Sequence, residues 1–111
     1  MEIKNAVIDS TSLNFGDRGC LMSYINVDYG GSFQGFGGYV LYAPEGWKHH
    51  NKLSPAGHWI VRVCECAGVT DWDKLKGMTV RVKIEDGIIK SIGHIVKDDW
   101  FTPSIDFKDI E

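Results

Sequence analysis

The stretch that most constrains the fold of this chain covers residues 29–42 and reads YGGSFQGFGGYVLY. Five of its fourteen residues are glycine and five are aromatic. Glycine weakens a strand, so repeated glycines in a strand-like pattern indicate that another backbone, a large side chain or a ligand comes close. The stretch therefore predicts a strand with gaps, and the aromatic side chains supply the surfaces around those gaps.

Two adjacent glycines, Gly30 and Gly31, lie between two strand-like runs. Both can take a positive φ, so they predict a two-residue hairpin turn. A turn of this length fixes how the two strands pair. The predicted facing pairs are Tyr29–Ser32, Val27–Gln34, Ile25–Phe36, Tyr24–Gly37 and Met22–Tyr39.

This pairing gives the hairpin one apolar face and one mixed face. The apolar face, which we assign to the core, consists of Leu21, Ile25, Val27, Phe36 and Val40. The opposite face would be a shallow floor with aromatic walls, made by Tyr24, Asn26, Asp28, Phe33, Gly35, Gly37 and Tyr39. Either a ligand lies on this floor, or Tyr24 lies across Gly37 and covers bare backbone. The two interpretations do not exclude each other.

Length and charge narrow the class of protein. A chain of 111 residues predicts a single domain over residues 1–111. The formal net charge of −3 argues against binding to duplex nucleic acid without sequence preference, because such binding needs a basic surface. The sequence opens without a signal-peptide pattern and holds no apolar run of membrane-spanning length, so we expect a cytoplasmic protein. Its three cysteines are poorly spaced for zinc, and we expect reduced thiols.

One helix is predicted over residues 54–68, where Ser54 and Pro55 favour its start and Gly68 favours its end. Its apolar stripe consists of Trp59, Ile60, Val63, Cys64 and Ala67. Residues 3–8 predict a first strand, which the turn-forming residues 9–12 would end. The predicted fold class is α+β, a mainly antiparallel sheet of about five strands (β-β-β-α-β-β) with one principal helix packed on it.

Residues 78–85 alternate between apolar and polar side chains, and the Asp86-Gly87 pair predicts a second hairpin turn. Like charges that face each other across two strands destabilise a sheet, unless an anion or solvent offsets them. The pattern indicates either an anion-binding surface or a solvated face. The implied facing pairs are Ile84–Ile89, Lys83–Lys90, Arg81–Ile92 and Thr79–His94, which gather Arg81, Lys83, Lys90 and His94 on the outer face.

No motif in the sequence identifies a reaction that the protein would catalyse. The glycines of residues 35–38 lack the spacing and the following helix of a dinucleotide site, and no Gly-Lys-Ser or Gly-Lys-Thr phosphate loop occurs. No serine lies in a nucleophile elbow, and no acid and base can be paired. His49 and His50 are adjacent and no cysteine or carboxylate cluster completes a metal site near them. We therefore assign no catalytic residue, metal or cofactor.

Two classes of binding function stay open, with a small hydrolase acting on a nucleotide as a third option. The first class is a module that binds a small anionic, nucleotide-like ligand through stacking and charge. Its candidate ligand-binding residues are Tyr24, Asn26, Phe33, Tyr39, Arg81, Lys83, His94 and Trp100. The second class is an inhibitor or adaptor that binds another protein through an aromatic patch, for which Trp47, Trp72, Trp100 and the glycine-rich hairpin are candidates.

Three segments together resemble a family of small phage and prophage proteins: DRGCL at residues 17–21, QGFGGY at 34–39 and GHIVKDDWF at 93–101. This chain has Arg18 where that family often has histidine. The family carries no established activity, so the resemblance assigns no role to a single residue. It implies a phage accessory protein in the host cytoplasm, which either sequesters a nucleotide signal of a defence system or blocks a host defence protein, as anti-CRISPR proteins do. It also implies a homo-oligomer.

Overall fold

The structure is a computed structural model, and it describes residues 1–16, 19–43 and 55–108. Within these residues the helices and strands are β1 (Glu2–Phe15), β2 (Leu21–Asp28), β3 (Phe33–Gly37), α1 (Ala56–Ala67), a 3-10 helix (Trp72–Lys74), β4 (Thr79–Glu85), β5 (Ile88–Gly93), β6 (Trp100–Phe101) and α2 (Pro103–Asp106). The six strands form one antiparallel sheet in the order β3-β2-β1-β4-β5-β6. The predicted α+β class is confirmed, with six strands in place of five.

The long strand β1 serves both halves of the sheet. Its first half pairs with β4 and its second half pairs with β2. The prediction that residues 9–12 end this strand is wrong, because a β-bulge between Ile8 and Ser10 lets the strand continue. Pairing with β2 outweighs the turn preference of these residues: the Ser23 hydroxyl donates to the Ser12 carbonyl oxygen at 2.6 Å, and Asn26 donates to the Ser10 hydroxyl at 3.0 Å.

The first hairpin, β2–β3, has the predicted register through most of its length. Ile25 faces Phe36 and the Tyr29 amide donates to the Ser32 carbonyl at 2.9 Å, around glycines with φ of +74° and +88°. The predicted Met22–Tyr39 pair is wrong. Gly37 and Gly38 both take positive φ, so the chain leaves the strand there. Tyr42 returns instead to bridge Leu21.

The core lies between the inner face of the sheet and α1. Trp59 of α1 is fully buried and stacks on Phe36 at a centroid distance of 5.4 Å, with Phe101 edge-on at 5.6 Å. As predicted, Gly68 ends the helix in the left-handed conformation, with φ of 74°. The buried stripe of α1 contains Cys66 in place of the predicted Cys64, and Pro55 occupies the N-cap position.

A glutamine side chain joins the two halves of the sheet. The Gln34 carboxamide, on edge strand β3, accepts from the Ile89 amide at 2.8 Å and donates to the Gly87 carbonyl at 3.0 Å and the Tyr29 hydroxyl at 3.0 Å. Strand β3 and strand β5 are four positions apart in the sheet order. The sheet must therefore curl strongly around the core to bring them within hydrogen-bonding distance.

In the second hairpin, β4–β5, the predicted Ile84–Ile89 pair is confirmed, but the pairs beyond it are wrong. A bulge at Lys90 shifts the register, so that Lys83 faces Ser91 and Arg81 faces Gly93. The physical reason is that Ile89 and Ile92 are three residues apart and both are buried. A regular strand would put one of them on each face, and the extra residue of a bulge puts both on the inner face.

The last described segment adds a sixth strand and a short helix. Phe101 of β6 pairs with Ile92 and is fully buried. The sequence of residues 104–111 fits a strand or a helix; the structure shows helix α2 from Pro103, and Phe107 then packs into the aromatic cluster. No helix in residues 1–16, 19–43 and 55–108 has the length and apolar character needed to cross a bilayer.

Candidate functional site

The bulge at Lys90 organises the outer face of β4, β5 and β6 into two adjacent rows of side chains. The polar row consists of Lys83, Ser91 and Thr102, in which Lys83 faces Ser91 and the Ser91 and Thr102 hydroxyls are 2.6 Å apart. The aromatic row consists of Arg81, Gly93 and Trp100, which face one another across the three strands. Neighbouring rows on one sheet face are two residues apart, or roughly 7 Å.

Trp100 lies flat over Gly93. A Cβ atom at residue 93 would be 2.6 Å from Cε3 of Trp100 and 2.7 Å from its Cδ2, so a side chain at this position would displace the indole. Glycine is therefore required here by the close approach of a ring.

Two cations lie over the same indole, and they are held very differently. The Arg81 guanidinium carbon is 4.8 Å from the Trp100 ring centroid and the Lys83 ammonium is 4.1 Å from it, both in the range of cation–π attraction. Arg81 is fixed, because it donates to the carbonyl oxygens of His94 and Lys97 at 2.8 Å each. The Lys83 ammonium has no hydrogen bond or ion pair with another side chain of the described ranges.

His94 does not join the outer face where the sequence prediction placed it. It begins the loop of residues 94–99, and its Nδ1 accepts from the amides of Val96 at 3.1 Å and Lys97 at 3.0 Å. Its Nε2 borders Gly68 at the end of α1. Because Nδ1 accepts, the neutral ring carries its proton on Nε2. The imidazole therefore orders the loop and lies away from the outer face of the sheet.

An ion pair that sequence reasoning missed anchors the same loop to α1. Arg62 donates to Asp99 at 2.6 Å and to the Trp100 carbonyl at 3.1 Å. The hydrogen bond from Arg62 lowers the pKa of the Asp99 carboxyl below its usual value, and the same bond raises the pKa of Arg62. The Trp100 backbone is therefore held from the core side while its ring lies on the outer face.

The polar row opens into a cleft of about 420 Å³. Lys83 and Lys90 both line it, and neither ammonium is within ion-pair distance of a carboxylate in the described part of the chain, although Glu85 lines the same cleft. We call this cavity the basic cleft. Its lining residues are Met1, Lys83, Glu85, Lys90, Ser91, Thr102, Ser104 and Ile105.

The three hydroxyl residues of the basic cleft were not found by sequence reasoning. The signal that could have found them is the spacing of Ile89 and Ile92, which requires a bulge if both are buried. With that bulge in place, Ser91 falls opposite Lys83. Thr102 and Ser104 come from the segment around α2, whose position over the sheet has no local pattern to reveal it.

The glycine floor of the first hairpin is covered by its own tyrosine. A Cβ at residue 35 would be 3.2 Å from Cδ1 of Tyr24, and one at residue 38 would be 2.5 Å from its hydroxyl oxygen. The covering interpretation therefore holds, at Gly35 and Gly38 in place of Gly37, whose missing side chain faces Trp59.

The other predicted floor residues are not collected into one pocket. Asn26 bonds to Ser10, and Phe33 is 65% exposed. Tyr39 was placed on the floor, but it lies on the opposite side, where its ring meets Trp59 at 6.3 Å and Phe107 at 5.8 Å. Burial there raises the pKa of the Tyr39 hydroxyl. A second cavity of about 280 Å³ is lined by Tyr39, Pro103, Ser104, Phe107 and Lys108.

The glycine floor and the basic face do not form one site. On β1, Tyr24 faces Ser12 while Arg81 faces Asn5, and β1 itself lies between the two strands concerned. Seven residues along a strand correspond to roughly 20 Å. The structure therefore brings Arg81, Lys83 and Trp100 together and leaves Tyr24, Asn26, Phe33, Tyr39 and the His94 ring elsewhere.

Trp72 packs against the core, while Trp47, His49 and His50 lie outside the described residues. Among residues 1–16, 19–43 and 55–108 no three histidine, cysteine or acidic side chains are grouped closely enough to hold a metal ion. Cys66 is buried beside the sheet, and burial raises the pKa of its thiol to about 12.

Comparison with known proteins adds no relative: no family model, no curated protein and no solved structure matches the chain. The resemblance to small phage and prophage proteins therefore stays a prediction from the sequence, and the proposed function rests on the geometry of the basic cleft.

Proposed function

We propose that this protein is a non-enzymatic binding protein that sequesters a small anionic, nucleotide-like signal, and that the basic cleft holds the anionic group. The observation that carries the proposal is the pair of lysines, Lys83 and Lys90, which line one cleft without a carboxylate partner among the described residues.

The composition of the cleft suits a phosphate or carboxylate. Two ammonium groups on neighbouring strands repel each other, and a bound anion offsets that cost. Ser91, Thr102 and Ser104 add hydroxyl donors, and hydrogen bonds to a charged acceptor are the stronger kind. A volume of about 420 Å³ is in the range of ordinary small-molecule sites.

The hydroxyls of the cleft are arranged for binding more than for turnover. Ser91 and Thr102 hydrogen-bond to each other at 2.6 Å, and among the described residues neither hydroxyl contacts a histidine or carboxylate that could take its proton. The likeness to phage proteins supplies the biological context: the ligand would be a signal made by a host defence system, and the protein would act in the host cytoplasm.

A thermal-shift screen of the purified protein against linear and cyclic nucleotides tests this proposal. A ligand that binds only the folded state raises the melting temperature by mass action. We expect a rise with at least one nucleotide, its loss in the Lys83→Ala/Lys90→Ala double variant, and its retention in Lys76→Ala, which removes an exposed lysine elsewhere.

Recovery of the nucleotide after denaturation separates binding from catalysis. Intact nucleotide supports sequestration, whereas an altered nucleotide shows an enzyme. If no nucleotide raises the melting temperature, the sequestration proposal is wrong.

A second candidate is direct inhibition of a host defence protein, favoured by the tip of the 94–99 loop. Val96 is 82% exposed at this tip, although the loop is held by His94, Arg81 and the Arg62–Asp99 ion pair. A rigid loop loses little entropy on binding, which suits an apolar anchor for a partner. In cells that carry the relevant defence system, Val96→Asp would then abolish protection of the phage, while the double lysine variant would keep it.

We further propose that the protein acts as a homo-oligomer. Ile3, Val7 and Phe33 on the sheet are 55%, 43% and 65% exposed, and a second copy of the chain could cover these apolar side chains. Light scattering at several concentrations tests this, with Phe33→Asp expected to lower the measured mass. A wild-type mass equal to one chain at every concentration contradicts it.

A further inference from the structure

We infer that Trp100, in the row next to the basic cleft, determines the specificity for the ligand of the cleft, and that it stacks on the aromatic part of a nucleotide after Lys83 has left its ring. This inference rests on the proposed function, because it assigns the aromatic half of the ligand whose anionic half the cleft would hold.

The spacing of the polar row and the aromatic row suits the two ends of a nucleotide. Lys83, Ser91 and Thr102 form the polar row, and Trp100 lies one row away on the same outer face. The rows are roughly 7 Å apart. A ligand with a phosphate over the polar row would therefore carry its other end over the indole, and a separation of this size suits the phosphate and the base of one nucleotide.

The Trp100 indole is already fixed in place in the free protein. Gly93 supports one side of the ring, with no room for a Cβ, and Arg62 holds the Trp100 carbonyl at 3.1 Å. A ring that is held before binding loses little conformational entropy when a base stacks on it. Every base has a flat π face, so such a platform selects for bases over sugars and inorganic anions.

The two cations over the Trp100 ring differ in how firmly they are held. Arg81 is tied to two carbonyl oxygens and stays where it is. Lys83 is 4.1 Å from the ring centroid, lines the cleft as well, and has no other polar partner among the described residues. It is the one of the two that can turn away without breaking a hydrogen bond.

Ligand binding would therefore exchange the Lys83 ammonium for a base on the Trp100 ring. In the free protein the Lys83 ammonium is attracted by the indole. In the complex it pairs with the anion of the ligand, and the base stacks on the part of the ring that Lys83 leaves, beside the Arg81 guanidinium, which stays in place. An anion without a base would draw Lys83 off the ring, and no group of that ligand would take the place of the ammonium. The complex with a nucleotide should therefore be tighter than the complex with its sugar phosphate.

Isothermal titration with ribose 5-phosphate and with AMP, GMP, CMP and UMP tests the inference on the full chain. We expect at least one nucleotide to bind about tenfold or more tightly than ribose 5-phosphate, the size that one stacked base supplies. In Trp100→Leu this ratio falls to about one, because the stack on the indole is lost, while the affinity for ribose 5-phosphate does not fall, because Lys83 no longer has to leave the ring. In Lys83→Met both affinities fall and the ratio persists.

The outcomes separate the inference from the proposed function. If the sugar phosphate and all four nucleotides bind wild-type protein equally well, the inference is wrong and the anion site stands. If Trp100→Leu weakens both kinds of ligand by the same factor, Trp100 only supports the fold and the inference is again wrong. If neither kind of ligand binds, the proposed function fails and the inference fails with it.

A measurement on the wild-type protein avoids any variant that fails to fold. The ring current of Trp100 shifts the NMR signals of the Lys83 side chain as long as the ammonium lies over the indole. Addition of the tightest nucleotide should move these signals towards ordinary lysine values. Signals that stay shifted in the saturated complex would overturn the exchange.

Discussion

The two hairpins of this sheet use the same device, an aromatic ring laid over glycine, and reach opposite results. In β2–β3 the ring of Tyr24 covers Gly35 and Gly38, and the nearest polar neighbours are uncharged. In β4–β5 the ring of Trp100 covers Gly93, and two cations lie over it. The two covers therefore differ in charge: the first repairs bare backbone, whereas the second lies beside an unanchored cation, the feature on which the proposed binding surface rests.

The largest loss of stability is expected when a side chain is added at Gly93, beneath the Trp100 ring. In Gly93→Ala the new methyl group would lie 2.6 Å from the indole, so the ring or the strand must shift. We expect a loss of about 2 kcal/mol in unfolding free energy, the usual size for an overpacked site, measured by urea denaturation. The matched variant Gly35→Ala, at 3.2 Å from Tyr24, should lose less than half as much. Equal losses would show that the two covers are equivalent.

The second largest loss of stability is expected when the Gln34 hydrogen bonds that join the two hairpins are removed. Gln34→Met keeps the length of the side chain but leaves the Ile89 amide and the Gly87 carbonyl without their partner. We expect a loss of about 1–2 kcal/mol, and faster hydrogen exchange at the Ile89 amide than at amides within the β1–β2 pairing. Ser32→Ala, in the turn of the same hairpin, is the control and should change neither quantity.

A smaller effect concerns the loop of residues 94–99, which follows β5. The pKa of Asp99 is lowered in the folded protein by Arg62, so this pair stabilises the fold above the ordinary carboxyl pKa near 4 and the contribution is lost as the pH falls through the lowered value. Because Asp99 is 39% exposed, we expect less than about 1 kcal/mol. The stability difference between wild type and Asp99→Asn, measured from pH 7 to pH 2, should shrink towards zero; a constant difference would contradict this.

The smallest effect sharpens the contrast between the two rings. Tyr24→Phe keeps the ring that covers the glycines, so stability should change by no more than about 0.5 kcal/mol. Nucleotide affinity should not change at all, since Tyr24 is roughly 20 Å from Arg81 along the sheet. A loss of nucleotide binding in this variant would move the ligand to the first hairpin.

Sequence reasoning succeeded where the signal was local. The Gly30-Gly31 turn predicted the register of its hairpin, and Gly68 predicted the end of α1. It failed at the two bulges, at Asp9 and at Lys90, because a bulge depends on which side chains the rest of the fold buries. That failure decided the site: with the register shifted, Gly93 replaces Ile92 opposite Arg81, and Trp100 can lie on the outer face.

The parts of the site that come from distant segments had no sequence signal. Trp100 was named as a candidate, but the contact of its ring with Lys83 requires β6 to pair with β5. Arg62 reaches the same tryptophan from α1, 38 residues away in the chain. Such contacts follow from the tertiary arrangement and not from the spacing of residues.

The shared strand β1 also has a consequence for how the protein folds. The pairs within β1–β2, β2–β3 and β4–β5 join residues close in sequence, whereas the pairing of β1 with β4 closes a loop of roughly 70 residues. Closing such a loop is slow because its entropy is lost before the contacts form. The two hairpins should therefore form early and separately, and the rate of folding should be set by the moment when the first half of β1 finds β4. Only after that step do the two rows of the outer face rest on a complete sheet.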